Sequence, residues 1–236
     1  MDVATSDAGI TYLVEINPVK EVILVGAADL AFWGDRLQSE ALIPDDHNGA
    51  AQLMITATAM RWMGLSFREL IISVSVRGPT DGFTQGGFYL VQAYNSARVL
   101  ALMERALFQT PYTHGIVEVE ARAPASMRLR DGEDTVFDAG MLVARPCIRD
   151  EETWWAGPIF LSRHRARPRD AGRLFFAKLG GQTATYPFLP ARDTFALRPG
   201  RDDGIWRWLD GSGFMGQEWR VRGNAVHARS KTYRRP

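Results

Sequence analysis

Apolar positions along this chain recur mostly with a period of two, in short runs punctuated by Gly, Pro, Asn and Asp, and that rhythm predicts strands. The clearest is Phe67–Val76, where Phe67, Glu69, Ile71, Ser73 and Ser75 share a mixed face and Leu70, Ile72, Val74 and Val76 dominate an apolar one. Thr11–Val25 carries β-branched runs around Pro18 and predicts two short strands or one strand broken by a bulge. Ala50–Met63 is apolar throughout, and Ile55, Thr56 and Thr58 tip it toward strand. Phe88–Tyr94 places Phe88, Leu90, Gln92 and Tyr94 on one face. Strand-like runs continue through Ile116–Ala123, Ser126–Arg130, Thr135–Val143, Thr153–Ser162, Leu174–Leu179 and Ala184–Leu189. Thr194–Leu197, Ile205–Leu209, Gln217–Arg222 and Ala225–Lys231 complete the series.

Two segments break this rhythm. Ala27–Gln38 sets Leu30, Trp33 and Leu37 at helical spacing. Ser96–Phe108 repeats Val99, Leu100, Leu102, Met103, Ala106 and Leu107 with the same period, behind the capping residues Asn95 and Ser96 and ahead of Thr110-Pro111. Many short strands with two helices predict an α+β domain spanning residues 1–236, built as a large antiparallel sheet, closed or stacked, with the helices packed on it.

Composition narrows the function classes. In 236 residues, 46% hydrophobic content supports a substantial core, and 28 basic against 27 acidic residues leave a net charge of +1. No global field therefore draws the protein to nucleic acid or to a membrane surface. The basic residues include only three lysines, Lys20, Lys178 and Lys231, so chemistry that needs a neutral amine has few candidates. A single cysteine, Cys147, closes no intrachain disulfide, and together with an acidic amino-terminal stretch it predicts a cytoplasmic protein.

Most motifs have a plainer explanation than chemistry. Gly211–Gly216 matches G-x-G-x-x-G, but the alternating QEWRVRG that follows reads as strand, so a glycine-rich hairpin turn is expected. Asp45-Asp46-His47 reads as a solvated turn and Cys147 as a packing residue. Arg163, Arg165, Arg167, Arg169 and Arg173 crowd one segment that suits an anion, although the acids Asp150–Glu152 lie near enough to pair with them. The tail Arg229–Arg235 reads as a solubilising basic end.

Glu69 stands apart. A carboxylate between Phe67 and Ile71 on a regular strand must find a donor or have its pKa raised toward a range useful for proton transfer. Just after the second helix, Tyr112 and His114 re-enter the sheet, placed either to reach a shared cavity or to plug the core.

The order of EVILVGAADLAFWGDRL, SFRELIISVSV, a glycine-rich loop and GGFYLVQAYNSARVLALMERALFQTPYTHG resembles the acetoacetate decarboxylase-like superfamily across Val22–Val143. The resemblance implies an antiparallel β-barrel or double sheet with a few short helices and a central cavity. It puts Glu69 where the family has a cavity glutamate and Tyr112 where its Schiff-base lysine would follow the proline. Gly26 falls near the family's arginine, and Leu53 or Met54 near its other glutamate. A phenol forms no imine, so decarboxylation of acetoacetate by that route is not expected, unless Lys178, on the face of Leu174 and Phe176, points inward. The expected function is acid/base chemistry without an imine, a dehydration, isomerisation or cyclisation of a small carbonyl- or carboxylate-containing metabolite. Glu69 and Tyr112 are its catalytic pair, and Gln92, Tyr94, His114 and Phe67 contact the substrate. No cofactor, metal, nucleic acid or membrane is expected, and homo-oligomerisation is left open. The competing reading is a non-catalytic small-molecule-binding barrel.

Overall fold

The computed structural model describes residues 10–77, 86–163, 172–200 and 204–235. In chain order its first half comprises β1 (Tyr12–Asp29), α1 (Leu30–Gln38), β2 (Ile43–Pro44), β3 (Asp46–His47), β4 (Ala50–Trp62), β5 (Leu65–Arg77), β6 (Gly87–Asn95), α2 (Arg98–Leu107) and β7 (Tyr112–His114). The second half comprises β8 (Ile116–Glu120), β9 (Ser126–Asp131), β10 (Asp134–Met141), β11 (Arg149–Leu161), β12 (Arg173–Pro187), β13 (Asp193–Leu197), α3 (Gly204–Leu209) and β14 (Met215–Arg234).

Seven strands lie side by side as β5-β4-β1-β14-β12-β11-β6, and the pairing of β5 with β6 joins the two ends of this path, closing it into a barrel. Most neighbours are antiparallel. The exception is β6, which runs parallel to β11 over Phe88 and Tyr89 and parallel to β7 over Ala93–Asn95. Within the barrel the departure from the purely antiparallel expectation is therefore the β6–β11 pair, and β7 adds a parallel partner to β6 outside the ring. A second sheet, β13-β10-β9-β8, packs through Val117, Met127, Leu129, Val136 and Phe137 onto Val22, Leu24, Leu53, Ile55, Leu70 and Ile72 of the first. A seven-stranded ring encloses only enough room for side chains, not for another sheet. The face that carries Leu53, Ile55 and Leu70 is therefore the outer wall, and the alternate residues of the same strands point inward.

The helices follow from local chemistry. Asp29 caps α1 by accepting from the Phe32 amide at 2.6 Å, and Trp33 and Leu37 bury its inner stripe. In α2 the buried residue is Ala101, while Val99, Leu102, Met103 and Leu107 are exposed, so the apolar period correctly marks a helix but not its packed face. Residues 205–209, expected as strand, form α3: Ile205 and Leu209 are buried one helical turn apart, and tertiary packing overrides the strand preference of Ile and Trp. The glycine-rich Gly211–Gly216 segment consequently joins a helix to a strand and is not a hairpin. The expected pairs of short strands at 174–189 and 217–231 are the single long strands β12 and β14, each kinked by a register shift.

The basic tail is also reassigned. Arg235 is buried at 6% exposure, with Nη1 donating to the Glu40 carbonyl at 2.7 Å, and Ser230 is buried within β14. As a ring strand between β1 and β12, β14 needs its last turns of sequence in the wall rather than in solvent. Arg165, Arg167 and Arg169 of the anion-loop reading lie outside the described residues.

Candidate functional site

One polar row crosses the inner wall. Arg222 pairs with Glu21, Glu21 with Thr58, Thr58 with Glu69, and Glu69 with Asn95 in successive strands. Directly opposed residues of neighbouring strands share a face, so these side chains share the inner face. Ala177 and Leu179 of β12 oppose Arg229 and His227, which share their face; the same two apolar residues cluster with Tyr112, Ile71, Leu90 and Phe175. Below the row, Val19, Met60, Phe67 and Ala225 close the barrel against Ala97 and Leu100 at the start of α2.

Glu69 is partly buried on the inner face, between the buried Thr58 and Asn95 of the neighbouring strands. Burial is the largest influence on its carboxyl, the negative charge of Glu104 adds to it, and the pKa rises to about 7 against the opposing pull of Tyr112, Asn95 and Arg229. Asn95 donates to Glu69 Oε1 at 2.8 Å while its own Oδ1 accepts from the Ala97 amide at 2.8 Å; α2 starts after Ala97 without a side-chain cap, so Asn95, expected to cap it, fixes the carboxylate instead. Tyr112 is buried and its hydroxyl stands in hydrogen-bonding reach of Glu69. Burial, then the charges of Glu69 and Glu104, push the phenol well above its ordinary pKa, so it stays a proton donor.

Local structure explains how Tyr112 arrives there. Gln109 adopts a left-handed φ of 58° at the end of α2, and the Phe108 and Thr110 amides both return to the Glu104 carbonyl. Pro111 then hands the chain to β7, whose Tyr112 opposes Ala93 on the inner face. The same turn holds Glu104, which accepts from Thr110 Oγ1 at 3.1 Å and from Arg229 Nη1 at 2.7 Å. The Arg229 guanidinium lies 4.1 Å from the Phe175 ring centroid and 4.7 Å from that of Phe108.

Of eight buried side-chain polar atoms without a hydrogen bond among the described residues, four lie on this face: Thr58 Oγ1, Arg229 Nη2, and Glu21 Oε1 and His227 Nε2, which face each other at 2.9 Å. Thr58 Oγ1 and Arg229 Nη2 are the two that call for a partner. Sequence reasoning missed Glu21, Arg222, His227, Arg229 and Glu104. The one usable signal was Glu21 at the head of the otherwise apolar run EVILV.

The other expected substrate contacts are not brought to Glu69. A register shift after Ile72 lets Leu90 and Ala93 share the inner face and turns Gln92 and Tyr94 to the outer one. There Gln92 donates to the Pro111 carbonyl at 3.1 Å, and Tyr94 joins the core beneath the second sheet. His114 is exposed and lines, with Tyr94, Gly115, Leu129 and Arg130, a separate cleft of about 210 Å³. Phe67 is on the inner face as expected but is packed among Val19, Met60 and Ala225. Lys178 is opposed to Ala156 and Ala228 on the outer wall with its ammonium 5.6 Å from the Trp154 ring, and Lys20 and Lys231 are exposed. Asp45 and Asp46 are engaged locally, by Arg77 and Ser75 and by the Gly49 amide.

No family model and no curated protein matches the chain. Solved structures do. An acetoacetate decarboxylase superposes with a TM-score of 0.62 at 14% identity, covering 94% of this chain and 88% of its own. The enduracididine biosynthesis enzyme MppR, complexed with the condensation product of pyruvate and imidazole 4-carboxaldehyde, gives 0.62 at 14% identity over 97% and 92%. The acetoacetate decarboxylase of Legionella pneumophila gives 0.61 at 11% identity over 99% and 92%. No helix among the described residues is long and apolar enough to cross a membrane. This chain has the fold of these solved acetoacetate decarboxylase and MppR structures.

Proposed function

We propose that this protein is an enzyme that moves protons on a small 2-oxo acid or related carbonyl-containing carboxylate without forming an imine. One observation carries the reading: a carboxyl held near neutrality, Glu69, adjoins a phenol that stays protonated, Tyr112, beside the unpaired Nη2 of Arg229. Arg229 fixes the substrate carboxylate. Glu69 as carboxylate takes a proton from the carbon next to the carbonyl, the C–H electron pair moves toward the carbonyl oxygen, and Tyr112 donates to the enolate that develops. Glu69, now protonated, returns the proton or delivers it to a neighbouring atom, which is the common step of isomerisation and dehydration. Tyr112 after the proline and Lys178 on the outer wall support a route without an imine. The likeness to MppR, which has also been solved complexed with pyruvate, supports the choice of a 2-oxo acid as probe.

The test is exchange of the C3 protons of pyruvate with solvent in D₂O, followed by proton NMR. The native protein is expected to accelerate exchange, Glu69→Gln to slow it by about 10²–10⁴-fold, and Tyr112→Phe by about 10²–10³-fold. Borohydride added with pyruvate should leave the intact mass unchanged. Exchange that persists in Glu69→Gln, or a borohydride-trapped adduct, contradicts the proposal. Saturable pyruvate binding with no exchange supports the non-catalytic barrel instead.

A further inference from the structure

A second group of polar side chains occupies the inner wall, and the mechanism above does not use it. Glu21, 1% exposed, is clamped by Arg222, whose Nη1 donates to Oε2 at 2.6 Å. The remaining edges of that guanidinium are also held: Nε donates to Thr183 Oγ1 at 2.7 Å and Nη2 to Thr153 Oγ1 at 3.0 Å. Thr153 and Thr183 are themselves joined at 2.7 Å, and Thr183 donates to the Gly181 carbonyl at 2.9 Å. Arg222, itself held by Thr153 and Thr183, thus fixes Oε2 of this carboxylate and leaves its Oε1 facing the imidazole of His227, whose Nε2 is 2.9 Å away.

The ring N–H is not aimed along that short line, since neither atom satisfies the geometry of a linear hydrogen bond, so the contact is mainly electrostatic. A bare ring nitrogen would be repelled by a carboxylate oxygen at this distance, which places the proton on Nε2. Nδ1 is then the lone-pair edge. It has no hydrogen-bond partner among the described residues, and the imidazole side chain keeps 17% of its surface accessible. A purely structural buried pair would have no need of the imidazole, because Arg222 already neutralises Glu21.

Position connects this pair to the site. His227 and Arg229 are alternate residues of β14 on the inner face, so their backbones are about 7 Å apart. The charged groups that face His227 are Glu21 from β1 and Arg222 and Arg229 from its own strand. Across β12 it meets Leu179, and across β1 Ile16. A substrate carboxylate on Arg229 would have Glu69 and Tyr112 on one side and His227 on the other.

We infer that Glu21 and His227 form an oriented acid/base dyad in which Glu21 is the positioning residue and Nδ1 of His227 the second proton-transfer group of the Glu69 chamber. The inference deepens the proposed function and rests on it: it narrows the reaction to one needing two proton relays, such as loss of water or a proton shift between adjacent atoms. In a dehydration, Glu69 removes the proton at the carbon next to the carbonyl, the electron pair forms the new double bond, and His227, protonated on Nδ1, donates to the departing hydroxyl, which leaves as water. Each proton taken up by one group is balanced by one released from the other.

Histidine side-chain ¹⁵N NMR of the native protein and of Glu21→Gln, with and without pyruvate, tests the dyad directly. The expected result is that neutral His227 carries its proton on Nε2, that this preference is lost in Glu21→Gln, and that pyruvate shifts Nδ1. A second readout uses a 4-hydroxy-2-oxo acid as probe: pyruvate has no hydroxyl to lose, so its exchange should survive in His227→Gln, whereas loss of water from the 4-hydroxy-2-oxo acid, followed by proton NMR, should be slowed in that variant. An Nδ1–H tautomer, or a native Nε2–H tautomer unaltered in Glu21→Gln, overturns the dyad whether or not exchange is observed. Loss of water that proceeds in His227→Gln at the native rate also overturns it and leaves the Glu69 reading standing. A native protein that shows the expected tautomer but no exchange sinks the Glu69 reading and retains the oriented imidazole.

Discussion

Above neutral pH, Glu69→Gln is expected to be more stable than the native protein, while at pH 4 the two should match. The carboxyl titrates near 7 in the folded chain against an ordinary value of 4.5, so folding favours its protonated form. Its contribution to stability is complete below about pH 4.5 and is lost as the pH rises through about 7, because the folded state must then hold a charge in poor surroundings. A shift of this size corresponds to at most about 3 kcal/mol. Glutamine imitates the neutral acid at every pH and keeps an oxygen for Asn95. Urea titrations at pH 4, 6 and 8 should therefore show the gap opening to about 3 kcal/mol in favour of the variant, together with loss of exchange activity. Parallel pH profiles for the two proteins would remove the basis for assigning Glu69 a catalytic role.

The second large effect belongs to the opposite member of the row. Arg222→Ala should cost about 3–5 kcal/mol at pH 7, because it strands the buried Glu21 carboxylate without its guanidinium partner. The double change Glu21→Gln with Arg222→Met should cost far less than Arg222→Ala, since no buried charge is left uncompensated. Burial pushes the Glu21 carboxyl up, but His227 and Arg222 together overcome it and lower the pKa to about 2. That stabilisation is present above the ordinary value of 4.5 and disappears as the pH falls through about 2. Denaturant unfolding of the single and double variants at pH 7 measures it, and a double variant as damaged as Arg222→Ala would contradict a buried-charge origin. The two carboxylates thus have their pKa values driven apart within one chamber, the arrangement expected where one group must stay ionised and another must exchange protons near neutrality.

How much of this was legible in the sequence depended on whether local periodicity survived into the fold. Strict alternation put Glu69 on the face of Phe67 and Ile71, and the Pro111 turn put Tyr112 after α2; the structure keeps both placements. Alternation failed for Gln92 and Tyr94 because a bulge in β6 reverses the parity between Leu90 and Gln92. The parity argument for Lys178 was sound, since it does share a face with Leu174 and Phe176, but only the position of the second sheet reveals that face as the outer one. Arg229 was read as part of a basic end, and His227 was not singled out. Their role depends on β14 lying between β1 and β12, a pairing across more than 200 residues of chain that no local window contains. Glu104 sits on the buried edge of α2 beside Ala101, while the apolar stripe that identified the helix faces outward.

The central claim is that the carboxyl of Glu69 is poised near neutrality inside the barrel, in contact with the Tyr112 phenol. A carbon-detected NMR titration of glutamate side chains labelled at the carboxyl carbon, with Glu69 assigned by its disappearance in Glu69→Gln, tests this directly. A Glu69 midpoint near 7, moving upward in Tyr112→Phe as the phenol's hydrogen bond to the carboxylate is lost, is the result this account requires. A midpoint at the ordinary value near 4.5, indifferent to Tyr112, would contradict it.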